Sequence, residues 1–163
     1  MRVRQGNVRD WPFIYALGKI GIPESISPWR RQPMEVTLKY REEYLRGFWT
    51  WIEQSKSTVF IVEEPEQDED SSARPIGYLV LHGSSQEELT GITQGWIMDI
   101  VVLPEWRGKG AGQVLLKAAE DYCREHEIPY LGLAVSSHNV KALRLYENFG
   151  FAEERKLLVK NVE

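Results

Sequence analysis

Apolar residues recur along this chain at two spacings, and the switches between them mark out its elements. Leu38, Tyr44, Leu45, Phe48, Trp49 and Ile52 fall on one face of a helix predicted over Glu35–Gln54, with charges filling much of the other face. Ahead of it, RVRQG reads as a short strand and Asp10 is placed to cap a helix through Trp11–Leu17. GIPESISPWRRQP, with Pro23, Pro28 and Pro33, reads mostly as loop. STVFIVEE, IGYLVLHG and WIMDIVVL are β-rich runs. Between the first two lies EEPEQDEDSSARP, acidic and poor in apolar residues, the pattern of a mobile, solvated hairpin loop. SSQEELTGITQG is a second polar connection.

A helix is predicted from about Gly110 to His126, YLGLAV as a strand, and SSHNVKALRLYENFG as a further helix. In that last helix Ala142, Leu145, Tyr146 and Phe149 share a face, and Gly150 suits a left-handed C-terminal stop. FAEERKLLVKNV reads as a closing strand. The order β-α-α-β-β-β-α-β-α-β indicates an α/β fold with a mixed sheet, and 163 residues suit a single domain over 1–163.

Composition narrows the function. A net charge of −4 and no basic stripe argue against nucleic acid or an anionic membrane surface as partner, so any anion site must be local. No apolar run reaches the ~18 residues that span a bilayer, and MRVRQGNVRDW lacks a signal peptide's apolar core. The lone Cys123 cannot pair internally, and His82, His126 and His138 are scattered, with no metal-ligand spacing. A cytoplasmic enzyme or binding domain is the expectation.

The local chemistry centres on RGKGAG, Arg107–Gly112, at the start of a predicted helix. A triphosphate P-loop needs Ser or Thr after its lysine, and Lys109 is followed by Gly110. A dinucleotide fingerprint built on Gly108 and Gly110 needs a third glycine where Gln113 stands. A plain tight turn remains the ordinary alternative.

From Trp96 to Phe151, about a third of the chain, the sequence resembles the GNAT superfamily of acyl-CoA-dependent N-acyltransferases. The resemblance rests on MDIVVLPEW, then Arg107-x-x-Gly110-x-Gly112 opening a helix, then LGLAV, then NVKALRLYENFGF. It implies a mixed central sheet flanked by helices, with splayed parallel central strands, and acetyl-CoA as acyl donor to an amine of a small molecule or a protein. The coenzyme pyrophosphate would lie on Arg107, Gly108, Lys109, Gly110, Ala111, Gly112 and Gln113, mainly on their backbone N–H groups. Lys109 reads equally well as a solvated surface lysine. The pantetheine arm would pair with the backbone of Ile100, Val101 and Val102, and the Val102 N–H would polarise the thioester carbonyl. As side chains, IVVL is what any buried strand looks like.

Asn139 is implied as a cofactor contact, and Ser137 or Asn139 is equally placed as a helix N-cap. The resemblance puts the Tyr146 hydroxyl near the coenzyme sulfur as general acid; a core aromatic is the bland reading. Ribosomal-protein N-terminal acetyltransferases, which the last segment resembles, carry a Glu where this chain has Ala134. Asp99 is the replacement carboxylate, against the ordinary alternative of a strand-edge residue paired with Lys or Arg. Trp29, Arg30, Arg31, Trp49 and Trp51 stand where an acceptor side would be built. A non-catalytic acyl-CoA-binding sensor is the competing function. Family members usually add two strands after the last helix and this chain has room for about one, so an open sheet edge covered in a homodimer is expected.

Overall fold

The first ten residues fold around one arginine. In the computed structural model, which describes residues 1–55, 57–64 and 73–163, β1 (Arg2–Gln5) pairs antiparallel with β2 (Ser57–Glu63). Arg4 donates to both Asp10 carboxylate oxygens, at 2.9 and 2.6 Å, and to Glu63 Oε1 at 2.5 Å. Asp10 therefore does not cap the first helix. It closes the 3-10 turn Val8–Asp10, accepting from the Asn7 N–H at 2.9 Å while Asn7 caps that turn.

α1 runs Trp11–Ser25, past the predicted end at Leu17 and through Pro23. Proline is tolerated there because it falls in the last turn, where only one ladder bond is lost. The predicted helix over Glu35–Gln54 divides at Gly47 into α2 (Met34–Arg46) and α3 (Phe48–Gln54), as a poor helix former permits. The acidic connection between the next strands includes residues 65–72, which lie outside the described residues. At its base the Glu64 N–H bonds the Arg74 carbonyl at 3.0 Å.

β3 (Pro75–Gln86) and β4 (Thr93–Val102) form a long hairpin that takes both ends of SSQEELTGITQG into strand. α4 spans Ala111–Glu125, β5 only Leu131–Leu133, and α5 Val140–Phe149, ended by Gly150 at φ +103°. The sheet order is β1-β2-β3-β4-β5, antiparallel throughout except for the parallel β4–β5 edge.

The expected closing strand does not form: residues 151–163 carry no strand pairing. Phe151 packs edge-on against Tyr146, and Arg155 then pairs with Glu87 and Glu88 at the β3–β4 tip. A three-residue β5 offers little edge for a further strand, and the charged run Glu153–Lys156 has no apolar face to bury.

One sheet face is covered by α1, α2 and α3, with Ile14, Leu17, Leu45 and Phe48 against Ile61, Tyr78, Val80 and Val101. α4 and α5 cover the other, with Leu115, Leu116, Ala119 and Tyr146 against Val62, Leu79, Leu81 and Ile97. Residues paired directly across strands share a face. Ile97 opposes Leu81 on the α4 side, whereas Asp99 opposes Val80 and Val101 opposes Tyr78 on the α1 side. A period of two would keep 97, 99 and 101 together. Met98 is an extra residue, a β-bulge, and it turns everything after it over.

Candidate active site

Beyond the bulge β4 is open along one edge. Its pairing with β5 stops at Ile97–Leu133. The Leu103 N–H bonds the Ile76 carbonyl at 2.8 Å on the β3 side. Alternation then aims the Ile100 and Val102 backbone groups at the opposite, unpaired side. The Val102 carbonyl is taken by Arg107 Nε at 3.1 Å, which leaves its N–H.

After a 3-10 turn at Pro104–Trp106, Gly108 (φ +73°) and Gly110 (φ +89°) hold left-handed backbone. A Cβ on Gly108 would meet nothing within 4 Å, and one on Gly110 only Gln113 Oε1 at 3.9 Å, so the outer side of the turn is open. Gly110 is the N-cap of α4, and no side chain among the described residues bonds this helix end. The ladder starts with the Val114 N–H on the Gly110 carbonyl at 3.1 Å. The Ala111, Gly112 and Gln113 N–H groups therefore have no helical partner, and they lie where the helix dipole favours an anion.

Three residues expected at the cofactor have side chains or positions that do structural work. Arg107 points away from the glycine turn, its Nη1 pairing with Glu24 at 2.6 Å and its own N–H bonding the Pro104 carbonyl at 3.3 Å. It braces the turn against the end of α1. Gly112 allows close packing: a Cβ there would lie 3.0 Å from Leu145 Cδ2 of α5. Asn139 caps α5, its Oδ1 accepting the Ala142 N–H at 3.2 Å. Lys109 does face the turn, with Nζ 5.0 Å from the Trp106 ring centroid.

Asp99 lies on the other side of β4 from α4. Its carboxylate accepts from the hydroxyl of the fully buried Tyr78 at 2.6 Å, not from a Lys or Arg. It lines a cavity of about 300 Å³ with Gly18, Gly21 and Ile22 of α1, Thr37 and Arg41 of α2, and Val101. Burial pushes the Asp99 carboxyl above its ordinary range, against the opposing effects of Tyr78, Arg41 and the Ile100 N–H. Tyr146 is 9% exposed, and burial followed by the Asp99 charge pushes its hydroxyl up to about 12. It therefore stays protonated at neutral pH. A hydroxyl that keeps its proton and a carboxyl inclined to take one thus stand near the open edge of a single strand.

Tyr78, Arg41 and Thr37 escaped the sequence reading. Tyr78 sits inside an apolar run, and Arg41 among charges that read as a solvated face. The aromatic candidates went elsewhere: Trp51 stacks on Phe48 at 5.7 Å between centroids, Trp49 packs near Trp11, and Trp29 is 70% exposed. Arg30 and Arg31 are also exposed. A larger hollow of about 660 Å³ between β1, β2 and α4 holds Asp121, bound to Lys117 and Arg124, and His126, stacked on Tyr122. Those groups are satisfied among themselves, and the hollow is remote from the glycine turn.

A sequence model of the acetyltransferase (GNAT) family matches residues 22–151, which include the end of α1, most of the cavity lining, the glycine turn and Tyr146. The chain belongs to this family. Among GNAT relatives, it is 29% identical to the spermidine N(1)-acetyltransferase of Vibrio cholerae over 137 residues, 82% of this chain and 69% of that one. It is 45% identical to the streptothricin acetyltransferase of Streptomyces lavendulae over 56 residues, 34% of this chain and 30% of that protein. The chain thus spans under a third of that relative's length. A solved structure, AAC(6')-Iy in complex with the bisubstrate analogue CoA-S-monomethyl-acetylneamine, superposes with a TM-score of 0.69 at 17% identity, covering 99% of this chain and 97% of that one. The shared fold is the mixed five-stranded sheet flanked by helices. Among the described residues no helix is long and apolar enough to cross a membrane, and no cluster of His, Cys, Asp and Glu is built to hold a metal.

Proposed function

We propose that residues 1–163 form one acetyltransferase domain that moves an acetyl group from acetyl-CoA to an amine. The observation carrying this reading is the single strand β4, with an open backbone edge beside an uncapped helix on one side and a carboxylate-floored cavity on the other.

The chain fits the donor. The free N–H groups of Ala111, Gly112 and Gln113, with the open turn at Gly108–Gly110 and the Lys109 charge, hold the pyrophosphate. The backbone of Ile100 and Val102 receives the amide-bearing arm, whereas Val101, expected to share that role, turns its backbone groups to Tyr78 of β3. Arg107 and Asn139 act by bracing the turn and capping α5. When bound, acetyl-CoA supplies a thioester whose C–S bond is exchanged for an amide C–N bond, with the coenzyme thiol leaving. Asp99 takes the proton that the amine nitrogen loses. The Val102 N–H donates to the carbonyl oxygen as it gains charge. Tyr146 returns a proton to the departing sulfur.

A Tyr146→Phe variant is expected to fold and to bind coenzyme A normally, with kcat lowered by about ten-fold. The effect is modest because a thiol of ordinary pKa, about 8.5, leaves without full protonation. Unchanged turnover in steady-state kinetics would remove Tyr146 from the mechanism. The function itself is tested by thiol release from acetyl-CoA across an amine panel, with the product identified by mass. Binding of coenzyme A with no turnover of any amine would instead favour a non-catalytic acyl-CoA sensor.

The buried free thiol of Cys123 supports a cytoplasmic location, where thiols stay reduced. The short β5 edge and the exposed Leu157, Leu158 and Val162 of the C-terminal segment support a homodimer.

A further inference from the structure

The acceptor cavity holds two opposite charges that do not meet. Asp99 on its β4 floor and Arg41 on its α2 wall both line it, and no ion pair among the described residues joins them. Arg41 is half-buried, with its guanidinium Cζ 4.7 Å from the Tyr44 ring centroid. No carboxylate among the described residues pairs with it. Its neighbour Glu42 is committed to the Tyr15 hydroxyl at 2.5 Å and to Lys19 at 3.5 Å. Thr37 stands one helical turn before Arg41 and lines the same cavity. Its Oγ1 accepts from Gln32 Nε2 at 2.6 Å, which leaves its own proton to donate.

We propose that the acceptor is a small amine that also carries an anionic group, in the simplest case a free amino acid, with its nitrogen at Asp99 and its carboxylate on Arg41 and Thr37. The inference rests on the acetyl-transfer reading above and adds the substrate class to it. A cavity of about 300 Å³ is at the small end for ligand sites and matches a compact molecule. The guanidinium of a half-buried arginine without a carboxylate partner is completed by an anion, and a planar carboxylate accepts two of its hydrogen bonds at once. The same charge repels the second ammonium of a polyamine. This pocket therefore selects against a substrate of the spermidine type, although a relative's name carries one.

The test compares free amino acids, their carboxamides and spermidine as acceptors for the wild type, Arg41→Gln and Arg41→Lys. The amino acids are expected to exceed their carboxamides in kcat/KM by at least about 10-fold. Arg41→Gln is expected to raise KM for the amino acids by about 10- to 100-fold, with kcat little changed, and to abolish the preference over carboxamides. Arg41→Lys should restore part of it. Calorimetric titration of amino acid against carboxamide into the coenzyme-A complex reads the same preference without turnover. Preferred use of spermidine or carboxamides, or an amino-acid KM unmoved by Arg41→Gln, overturns this proposal while leaving acetyl transfer standing. Binding preference for the amino acid with no acetylation of any amine supports the pocket and sinks the acetyl-transfer reading instead.

Discussion

Asn in place of Asp99 is expected to lower kcat/KM for the acceptor by about 100- to 1,000-fold while leaving thermal stability at pH 7 unchanged or slightly higher. The large kinetic effect follows from the nucleophile: an ordinary alkyl ammonium, with a pKa near 10.4, is neutral about once in 2,500 molecules at pH 7. A positioned proton acceptor is worth about 10²- to 10⁴-fold in such a reaction. Asp99 works as a base only when ionised, and burial holds its pKa above the ordinary carboxylate value. The wild-type rate should therefore fall as pH drops through that raised value, and the variant should lose this acid limb. The stability effect has the opposite sign. A folded-state pKa above the unfolded one means that the fold binds the proton more tightly, so ionised Asp99 costs stability at neutral pH. Asn keeps an acceptor for the Tyr78 hydroxyl and carries no charge. A variant with wild-type kcat/KM and an unaltered pH–rate profile would exclude Asp99 as the base.

Removing Arg4 should be the most damaging change to stability among those considered. Arg4→Ala is expected to cost about 3 kcal/mol, because it leaves Asp10 and Glu63, 8% and 5% exposed, without their cation. For a chain of this length that lowers Tm by roughly 6–12 °C. The Arg4 bonds hold the Asp10 carboxyl below its ordinary range. Its contribution is therefore complete above the unfolded value, about 3.9, and is lost as pH falls through the lower folded one. Melting curves should show the wild type losing stability below about pH 4 and the variant losing less there. A Tm within 2 °C of wild type at pH 7, by the same scaling under about 1 kcal/mol, would show that solvent already screens the cluster.

Reading the sequence reached the fold class, the glycine turn and the helix bearing Tyr146, because each is local: backbone at positive φ, a helix start, a 3.6-residue stripe. It failed where a residue's meaning depends on its partner across the sheet. Nothing in WIMDIVVL marks Met98 as a bulge, and without the bulge Asp99 would face α4 in the apolar core. Tyr78 became legible only once register set it opposite Val101 with its hydroxyl on Asp99. Arg41 looked solvated because helical periodicity separates faces and says nothing of what packs against the polar one. Arg107, placed in the phosphate cradle mainly by its backbone, has a side chain that holds Glu24, 83 residues away, a partner that no local motif reveals.

The pairing of Arg4 with Glu63 also bears on the order in which the chain assembles. The two lie 59 residues apart, and α1, α2 and α3 fill the interval. The β3–β4 hairpin, by contrast, closes over a short turn at Glu88–Thr90. Loop-closure entropy favours the near pairing first and defers the distant one. The part of the sheet that carries β4 and its cavity can thus be laid down while the N-terminal strand is still searching, and β1 then acts as a latch on a structure already built.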